Sequence, residues 1–153
     1  MTPMMAATMR VTNPLARLPA IRPVPIFLGL TKTALLQVAR ASVEITYMPG
    51  EIVVRQGDPG DSLCIITEGT VEVRHDERVV ARMASGDFFG ELSVIDGEPR
   101  SATVVAVDEV VVLTLSSAEF DTLMTNSYFA RAVLRSLAKR FRDLQDSHAP
   151  HQV

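Results

Sequence analysis

Seven short segments rich in Val, Ile and Thr follow one another through the middle of the chain, and turn residues separate them. The separating stretches carry combinations that reverse a chain, such as Pro49-Gly50 and Asp96-Gly97. Within the segments apolar residues alternate with a period of two, which predicts strands. Seven or eight short strands in succession predict a sandwich or a barrel, and the segments are 43–47, 51–55, 63–67, 70–74, 78–83, 102–107 and 109–115.

Helical patterns flank the strand region on both sides. Between residues 27 and 43 apolar residues recur at spacings of three and four, which predicts one N-terminal helix of about three turns. After the strands, Ser116 and Glu119 form a capping box that opens a short helix. A longer amphipathic helix follows over residues 127–145. This order predicts a mainly β domain with flanking helices.

The length and composition fit one compact domain. The chain has 153 residues, of which 47% are hydrophobic and 22% are charged, so its core needs no disulfide or metal. We expect residues 1–25, rich in Pro and Met, to be a leader that is partly disordered or docked as coil. Residues 26–145 are then the folded domain and residues 146–153 a tail. The one cysteine, Cys64, lies in an apolar run and predicts an inert thiol in the reducing cytoplasm.

Charge is distributed unevenly along the chain. The net charge of −3 is too mild, and of the wrong sign, for a protein whose whole surface binds nucleic acid. The first 43 residues carry +5 and no acidic side chain, and their basic residues are Arg10, Arg17, Arg22, Lys32 and Arg40. This stretch is either a solvated leader or a contact for an acidic partner or a lipid surface. Prolines interrupt it, so no apolar run approaches the roughly 18 residues of a membrane span.

The densest group of unusual residues lies between positions 88 and 103. Gly90 lets the backbone approach a ligand, and a short helix starting at Glu91 would offer free N–H groups to a phosphate. Arg100 would add two parallel charge-assisted hydrogen bonds to the same phosphate. Glu91 can accept a hydrogen bond from a ribose hydroxyl, as acidic residues do in dinucleotide sites. The pattern indicates a site for ribose and phosphate, although a surface turn with an exposed ion pair has the same spacing.

These residues carry a resemblance to a known family. The run FGELSV at 89–94, followed after five residues by RSATVVA at 100–106, resembles the phosphate-binding cassette of the cyclic nucleotide-binding domain family. That family includes the catabolite activator protein, kinase regulatory subunits and nucleotide-gated channels. In a second run, residues 53–69, glycines punctuate a strand, a turn and a strand, and this run is similar to another pattern of the same family. It departs from that pattern at Cys64, which replaces a larger aliphatic residue. The resemblance covers about residues 26–142 and implies an eight-stranded antiparallel, jelly-roll-like β-roll with one N-terminal helix, a cassette helix and two C-terminal helices.

The resemblance also implies a role for each residue of the site. Glu91 would receive the ribose 2′-hydroxyl, Arg100 would neutralise the cyclic phosphate, and Gly90 would permit the close approach. Backbone N–H groups near four further residues would complete the phosphate cradle: Leu92, Ser93, Ser101 and Ala102. The base would rest against Val73 and Met83.

A residue of the last helix would cover the base. Arg135 could stack on the base through its guanidinium. Alternatively, apolar residues of the same helix could close over the base, and these are Leu134, Leu137, Ala138 and Phe141. The basic residues of this helix otherwise form its solvated face, and they are Arg131, Arg135, Lys139, Arg140 and Arg142.

The resemblance predicts a regulatory module that binds a cyclic nucleotide and passes the signal to a protein effector by moving its last helix. Ser101 does not decide between cAMP and cGMP, and cAMP is favoured as the commoner ligand. We expect no enzyme, no cofactor and no metal, because two of the three histidines lie near the C-terminus. Direct DNA binding is not expected, because eleven residues after Arg142 are too few for a helix-turn-helix of roughly 20 residues. The alternatives are a sensor domain, excised or separate, of a larger channel, transporter, kinase or transcription system, and a structural relative that binds nothing.

Overall fold

A computed structural model describes residues 7–10 and 13–148. These residues form nine strands and five α-helices, joined by turns and by one turn of 3-10 helix at Pro25–Phe27. The strands are β1 (Thr8–Arg10), β2 (Val43–Tyr47), β3 (Ile52–Val54), β4 (Ser62–Glu68), β5 (Thr70–His75), β6 (Arg78–Ala84), β7 (Phe88–Phe89), β8 (Thr103–Ala106) and β9 (Val110–Ser116). The helices are α1 (Pro14–Ile21), α2 (Lys32–Ala41), α3 (Glu91–Asp96), α4 (Ser117–Met124) and α5 (Ser127–His148).

The strands form two antiparallel sheets. One sheet has the order β1-β2-β9-β4-β7 and the other has the order β3-β8-β5-β6. Strands β2 to β9 make the eight-stranded antiparallel β-roll with flanking helices, which confirms the predicted fold class. Strand β1 is an addition to that plan, and it pairs with the edge of β2.

Two cores hold the domain together. The helices pack on the outer side of the first sheet, where the ring of Phe129 lies 6.0 Å from that of Phe27 and 5.9 Å from that of Phe120. The second core fills the space between the two sheets, and its members include Cys64, Val71 and Phe89. Because β7 ends at Phe89, this second core fixes the point at which the chain leaves the sheet for α3.

The N-terminal region differs from the expected leader. Residues 14–21 form a helix, and Ile21 and Val24 are buried in the helical core, so folded structure begins well before residue 26. Two helices, not one, therefore precede the β-roll. The prolines led to the prediction of an irregular leader, but Pro14 occupies the first helical turn, where its missing N–H costs nothing. The expectations for residues 1–6, 11–12 and 149–153 lie outside the described residues, and α5 continues past residue 145 to His148.

Arg17 belongs to the fold and not to a solvated surface. Its side chain is buried, and Nη1 donates to the Ala39 carbonyl at 3.0 Å and to the carbonyl of Ser42. Ser42 caps the C-terminus of α2, so Arg17 supplies a cation where the helix dipole is negative. Arg22, Lys32 and Arg40 are exposed. Within the described ranges no helix is long and apolar enough to cross a bilayer.

Candidate functional site: the pocket of the 88–103 cassette

The chain turns sharply between β7 and α3. Gly90 has φ of +91°, a left-handed conformation that favours glycine. A Cβ at this position would lie 2.4 Å from Nη1 of Arg100 and 2.8 Å from the Ser62 carbonyl oxygen, so a side chain has no room. The first bond of α3 runs from the Val94 N–H to the Gly90 carbonyl at 3.3 Å. The N–H groups of residues 91–93 therefore have no acceptor within the helix and are available to a ligand.

Arg100 is anchored through its backbone to the turn before β4. Its N–H donates to the Asp58 carbonyl at 2.8 Å, and its own carbonyl accepts from the Gly57 N–H at 2.9 Å. The side chain then passes over Gly60, where an added Cβ would lie 2.6 Å from Nε of Arg100. Two glycines, Gly60 and Gly90, thus leave the space in which the guanidinium sits.

The guanidinium of Arg100 is buried and has only neutral partners. The residue is 7% exposed. Nη2 donates to the Ser62 carbonyl at 3.1 Å and to its Oγ at 3.2 Å, and Nη1 donates to the Gly90 carbonyl at 3.4 Å. None of the ion pairs among the described residues includes Arg100. A buried cation without a counter-charge is costly, and an anion bound beside it removes that cost.

Glu91 is the carboxylate of the site, and it is equally buried. The residue is 4% exposed, and its Oε1 accepts from Nη1 of Arg140 at 2.6 Å. Arg140 also donates to the Phe88 carbonyl, and its guanidinium carbon lies 4.7 Å from the centroid of the Phe88 ring. These three contacts attach α5 to the cassette. Sequence periodicity places Arg140 on the solvated face of α5, and no local signal separates it from the other basic residues of that helix.

The buried thiol of Cys64 feels the charges of both Arg100 and Glu91. Burial raises the pKa of Cys64 to about 11, Arg100 opposes that rise and Glu91 adds to it. Cys64 pairs with Phe89 across β4 and β7, directly behind the start of α3. The expected inert thiol agrees with this setting, since a buried group of raised pKa is a poor nucleophile. In the ranges 7–10 and 13–148 no three His, Cys, Asp or Glu side chains are grouped as metal ligands.

The other predicted site residues divide into two groups. Val73 and Met83 are half-buried on the second sheet and pack against the core that contains Phe89. Of the predicted backbone donors, Ser93 is buried and Ala102 half-buried, whereas Leu92 and Ser101 are exposed. The contacts of all these residues with a ligand stay predictions.

Arg135 does not join the cassette in this structure. It lines a groove with Leu28 and Tyr128, between the N-terminal segment and the start of α5. Leu134 and Phe141 are 61% and 62% exposed, and their closure over a bound base stays a prediction. The residue of α5 that contacts the cassette here is Arg140, and the cover of a bound base by Arg135 stays a prediction.

The β-roll and the glycine turn bring a buried guanidinium, Arg100, and a buried carboxylate, Glu91, to the segment between β7 and β8. The family model described as "Cyclic nucleotide-binding domain" matches residues 44–127, which is more than half of the chain. The chain therefore belongs to the cyclic nucleotide-binding domain family, as the resemblance of the cassette predicted. It is a regulatory binding domain of the kind found in kinase regulatory subunits and channels.

Three similar proteins illustrate the range of the family. A cyclic nucleotide-gated potassium channel of Mesorhizobium japonicum is 38% identical over 75% of this chain, and the match covers 32% of the channel. A co-crystal structure of the regulatory domain of Toxoplasma gondii PKA with cAMP is 28% identical, with a TM-score of 0.73 over 83% of this chain and 50% of that one. A cyclic nucleotide-binding domain of Methylobacillus flagellatus shares the fold, with a TM-score of 0.80 at 24% identity over 96% of this chain and 90% of that one. This chain spans about a third of the length of the curated channels it matches.

Proposed function

We propose that this domain is a switch that binds cAMP, with Arg100 on the cyclic phosphate and Glu91 on the ribose 2′-hydroxyl. The observation that carries the proposal is the guanidinium of Arg100, which is buried and bonded to neutral oxygens only. One guanidinium, that of Arg100, would face the anion, because Arg140 already pairs with Glu91. A single positive charge matches the single negative charge of a cyclic phosphate diester better than the dianion of AMP.

The preference for cAMP over cGMP is part of the proposal. The wall that Val73 and Met83 would offer to the base is apolar, so it supplies no donor or acceptor that distinguishes the two purines. Ser101 is exposed, and its hydroxyl does not decide between the two purines. The cAMP found in the Toxoplasma gondii neighbour supports the choice of adenine. We expect the ligand to leave the pocket chemically unchanged, because the domain acts by binding.

The link between ligand and helix runs through Glu91. Its side chain is 5% exposed and in contact with Arg140, so a ribose reaches the carboxylate only when Arg140 moves away. Because Arg140 is the residue that holds α5 to the cassette, its displacement releases the helix. Binding then shifts an equilibrium between two positions of α5, and the released helix acts on a protein effector. Cys64 is a free and buried thiol, which supports a location in the reducing cytoplasm.

The role of Glu91 is tested by a comparison of two ligands. Glu91→Gln keeps the shape of the side chain but removes the charged acceptor, so it should weaken cAMP by about tenfold and 2′-deoxy-cAMP by less than about threefold. Isothermal calorimetry measures both affinities. Glu98→Gln, an exposed change just after the same helix, serves as the matched control and should leave both unchanged. Equal losses for the two ligands would show that Glu91 does not face the ribose.

The movement of α5 is tested by distance measurement between two spin labels. One label stands on the β-roll at Val80→Cys and the other on α5 at Arg142→Cys, both at exposed positions, in a Cys64→Ala background. Saturating cAMP should change the label distance. A second pair within the β-roll, Val80→Cys with Glu109→Cys, should show no change. A distance to α5 that cAMP leaves unaltered, under conditions where calorimetry shows binding, refutes the coupling.

A further inference from the structure

A groove lies between the N-terminal segment and the start of α5, outside the cassette. Its volume is about 600 Å³, which is within the range of pockets that hold a ligand or a short peptide. One wall is formed by Pro25 and Leu28, and the other by Tyr128, Arg131 and Arg135. Nothing in the cyclic nucleotide site makes use of this groove.

Both walls present large apolar side chains to solvent. Leu28 is 68% exposed and Tyr128 is 69% exposed, although each stands beside a core residue. Gly29 lies between them, and a Cβ there would be 2.6 Å from Cβ of Tyr128. Its φ is not in the left-handed region, so the glycine serves close approach alone. The missing side chain brings the first turn of α5 directly against the N-terminal segment and leaves two apolar groups facing the same opening.

The groove also carries unpaired positive charge. Arg131 and Arg135 are four residues apart on α5, both are exposed, and neither makes a hydrogen bond or ion pair among the described residues. Two other cations of α5 do have partners, since Lys139 pairs with Asp143 at 3.2 Å and Arg140 pairs with Glu91. No acidic residue lines the groove. The two guanidinium groups therefore have no carboxylate of this domain to bind.

We propose that this groove docks a peptide segment of a partner protein, in which acidic side chains stand next to apolar ones. The carboxylates would pair with Arg131 and Arg135, because the guanidinium fork binds carboxylate with two parallel hydrogen bonds. An apolar side chain of the peptide would lie between Leu28 and Tyr128. A peptide fits better than a bilayer, because the groove is concave and its walls come from two separate elements, whereas membranes bind exposed convex faces.

Docking would be linked to the cyclic nucleotide, and this link alone rests on the proposed function. The same helix carries the groove arginines and Arg140, so a shift of α5 changes the distance between the two walls. By thermodynamic reciprocity, the factor by which cAMP changes the affinity for the peptide equals the factor by which the peptide changes the affinity for cAMP. The docking surface exists with or without that link.

The test uses a fluorescein-labelled peptide, acetyl-Asp-Glu-Leu-Asp-Leu-Glu amide, and fluorescence anisotropy in the absence of cAMP. The full chain should bind the peptide with a dissociation constant of about 10–100 μM. The double variant Arg131→Glu/Arg135→Glu should bind at least about tenfold more weakly. Arg142→Glu, an exposed reversal on the same helix outside the groove, is the matched control and should bind as the wild type does. Leu28→Ser, also at an exposed position, should weaken binding by about threefold or more.

The outcomes separate this proposal from the preceding one. The proposal is overturned if the double variant binds no more weakly than Arg142→Glu, or if a peptide with Asn and Gln in place of the acids binds equally well. It is also overturned if the peptide does not bind at millimolar concentration, and binding to phosphatidylserine vesicles in that case would identify a membrane surface. A cAMP-induced rise in melting temperature is measured on every variant. If cAMP does not raise the melting temperature of the wild type but the peptide still binds, the cyclic nucleotide function is refuted and the docking proposal stands.

Discussion

Replacing Arg140 by methionine removes the contact that holds α5 to the cassette while it keeps most of the apolar stem. In the wild type the guanidinium bonds to Glu91 at 2.6 Å, bonds to the Phe88 carbonyl and stacks on the Phe88 ring. If cAMP has to displace these contacts, their free energy opposes binding. Arg140→Met should therefore bind cAMP more tightly than the wild type, although the residue it loses belongs to the site.

The size of the effect follows from the geometry. A charge-assisted hydrogen bond contributes about 1.5–3 kcal/mol. The Arg140 side chain is 31% exposed, so solvent screens the pair and lowers its contribution to the bottom of that range or slightly below it. A contribution of about 1–2 kcal/mol corresponds to an affinity gain of about 5- to 30-fold. The free energy of unfolding without ligand should fall by a similar amount, because Glu91 is left buried without its partner.

Two measurements test whether Arg140 competes with the ribose of cAMP for Glu91. Isothermal calorimetry gives the cAMP affinity, and urea unfolding without ligand gives the stability. Lys139→Met, the neighbouring exposed residue that pairs only with Asp143, is the control and should change neither. An Arg140→Met variant with unchanged or weaker affinity, alongside the expected loss of stability, would refute competition between Arg140 and the ribose.

Three further predictions concern the turn, the N-terminal helix and the thiol. Gly90→Ala should lower the free energy of unfolding by about 1–3 kcal/mol and weaken cAMP at least tenfold, whereas Gly97→Ala, with open space around it, should leave cAMP binding intact, as calorimetry can check. Arg17→Met should cost about 1–3 kcal/mol in urea unfolding, because it leaves the end of α2 uncapped, and an effect no larger than that of exposed Arg22→Met would contradict this. Because burial raises the pKa of Cys64 to about 11, Ellman's reagent should react with it far more slowly than with the urea-unfolded chain at pH 8, and equal rates would show that the thiol is accessible.

Local sequence patterns are sufficient to predict most of the strands and the last two helices. Alternating apolar residues and turn residues mark each strand, and the Ser116 hydroxyl accepts from the Glu119 N–H at 3.3 Å, as the capping box indicates. Strand β7 has two residues, too few to show a period, so it was not among the seven segments. Helix α1 is not predicted by the sequence because its segment is rich in Pro and shows no regular apolar period, while burial of Ile21 depends on residues far along the chain.

The site residues also differ in how far their partners lie along the chain, and this decides which of them the sequence predicts. Gly90, Glu91 and Arg100 lie within one short run, so the family resemblance is visible in the sequence, whereas their spacing alone also fits a surface turn with an exposed ion pair. Arg140 lies 49 residues from Glu91 and the Ser62 carbonyl lies 38 residues from Arg100. Only the packing of α5 and β4 around the cassette selects these partners. Sequence periodicity places Arg140 on a helix but does not say which of its neighbours faces a carboxylate.

The central role proposed for Arg100 is to bind the cyclic phosphate. Calorimetric titration of the wild type with cAMP, and of Arg100→Ala under the same conditions, tests this role, with exposed Arg78→Ala as the control. The wild type should bind one cAMP per chain, and Arg100→Ala should lose about 2–5 kcal/mol of binding free energy while Arg78→Ala loses none. A folded Arg100→Ala variant that binds cAMP within fivefold of the wild type, or a wild type that binds no cAMP, contradicts the account.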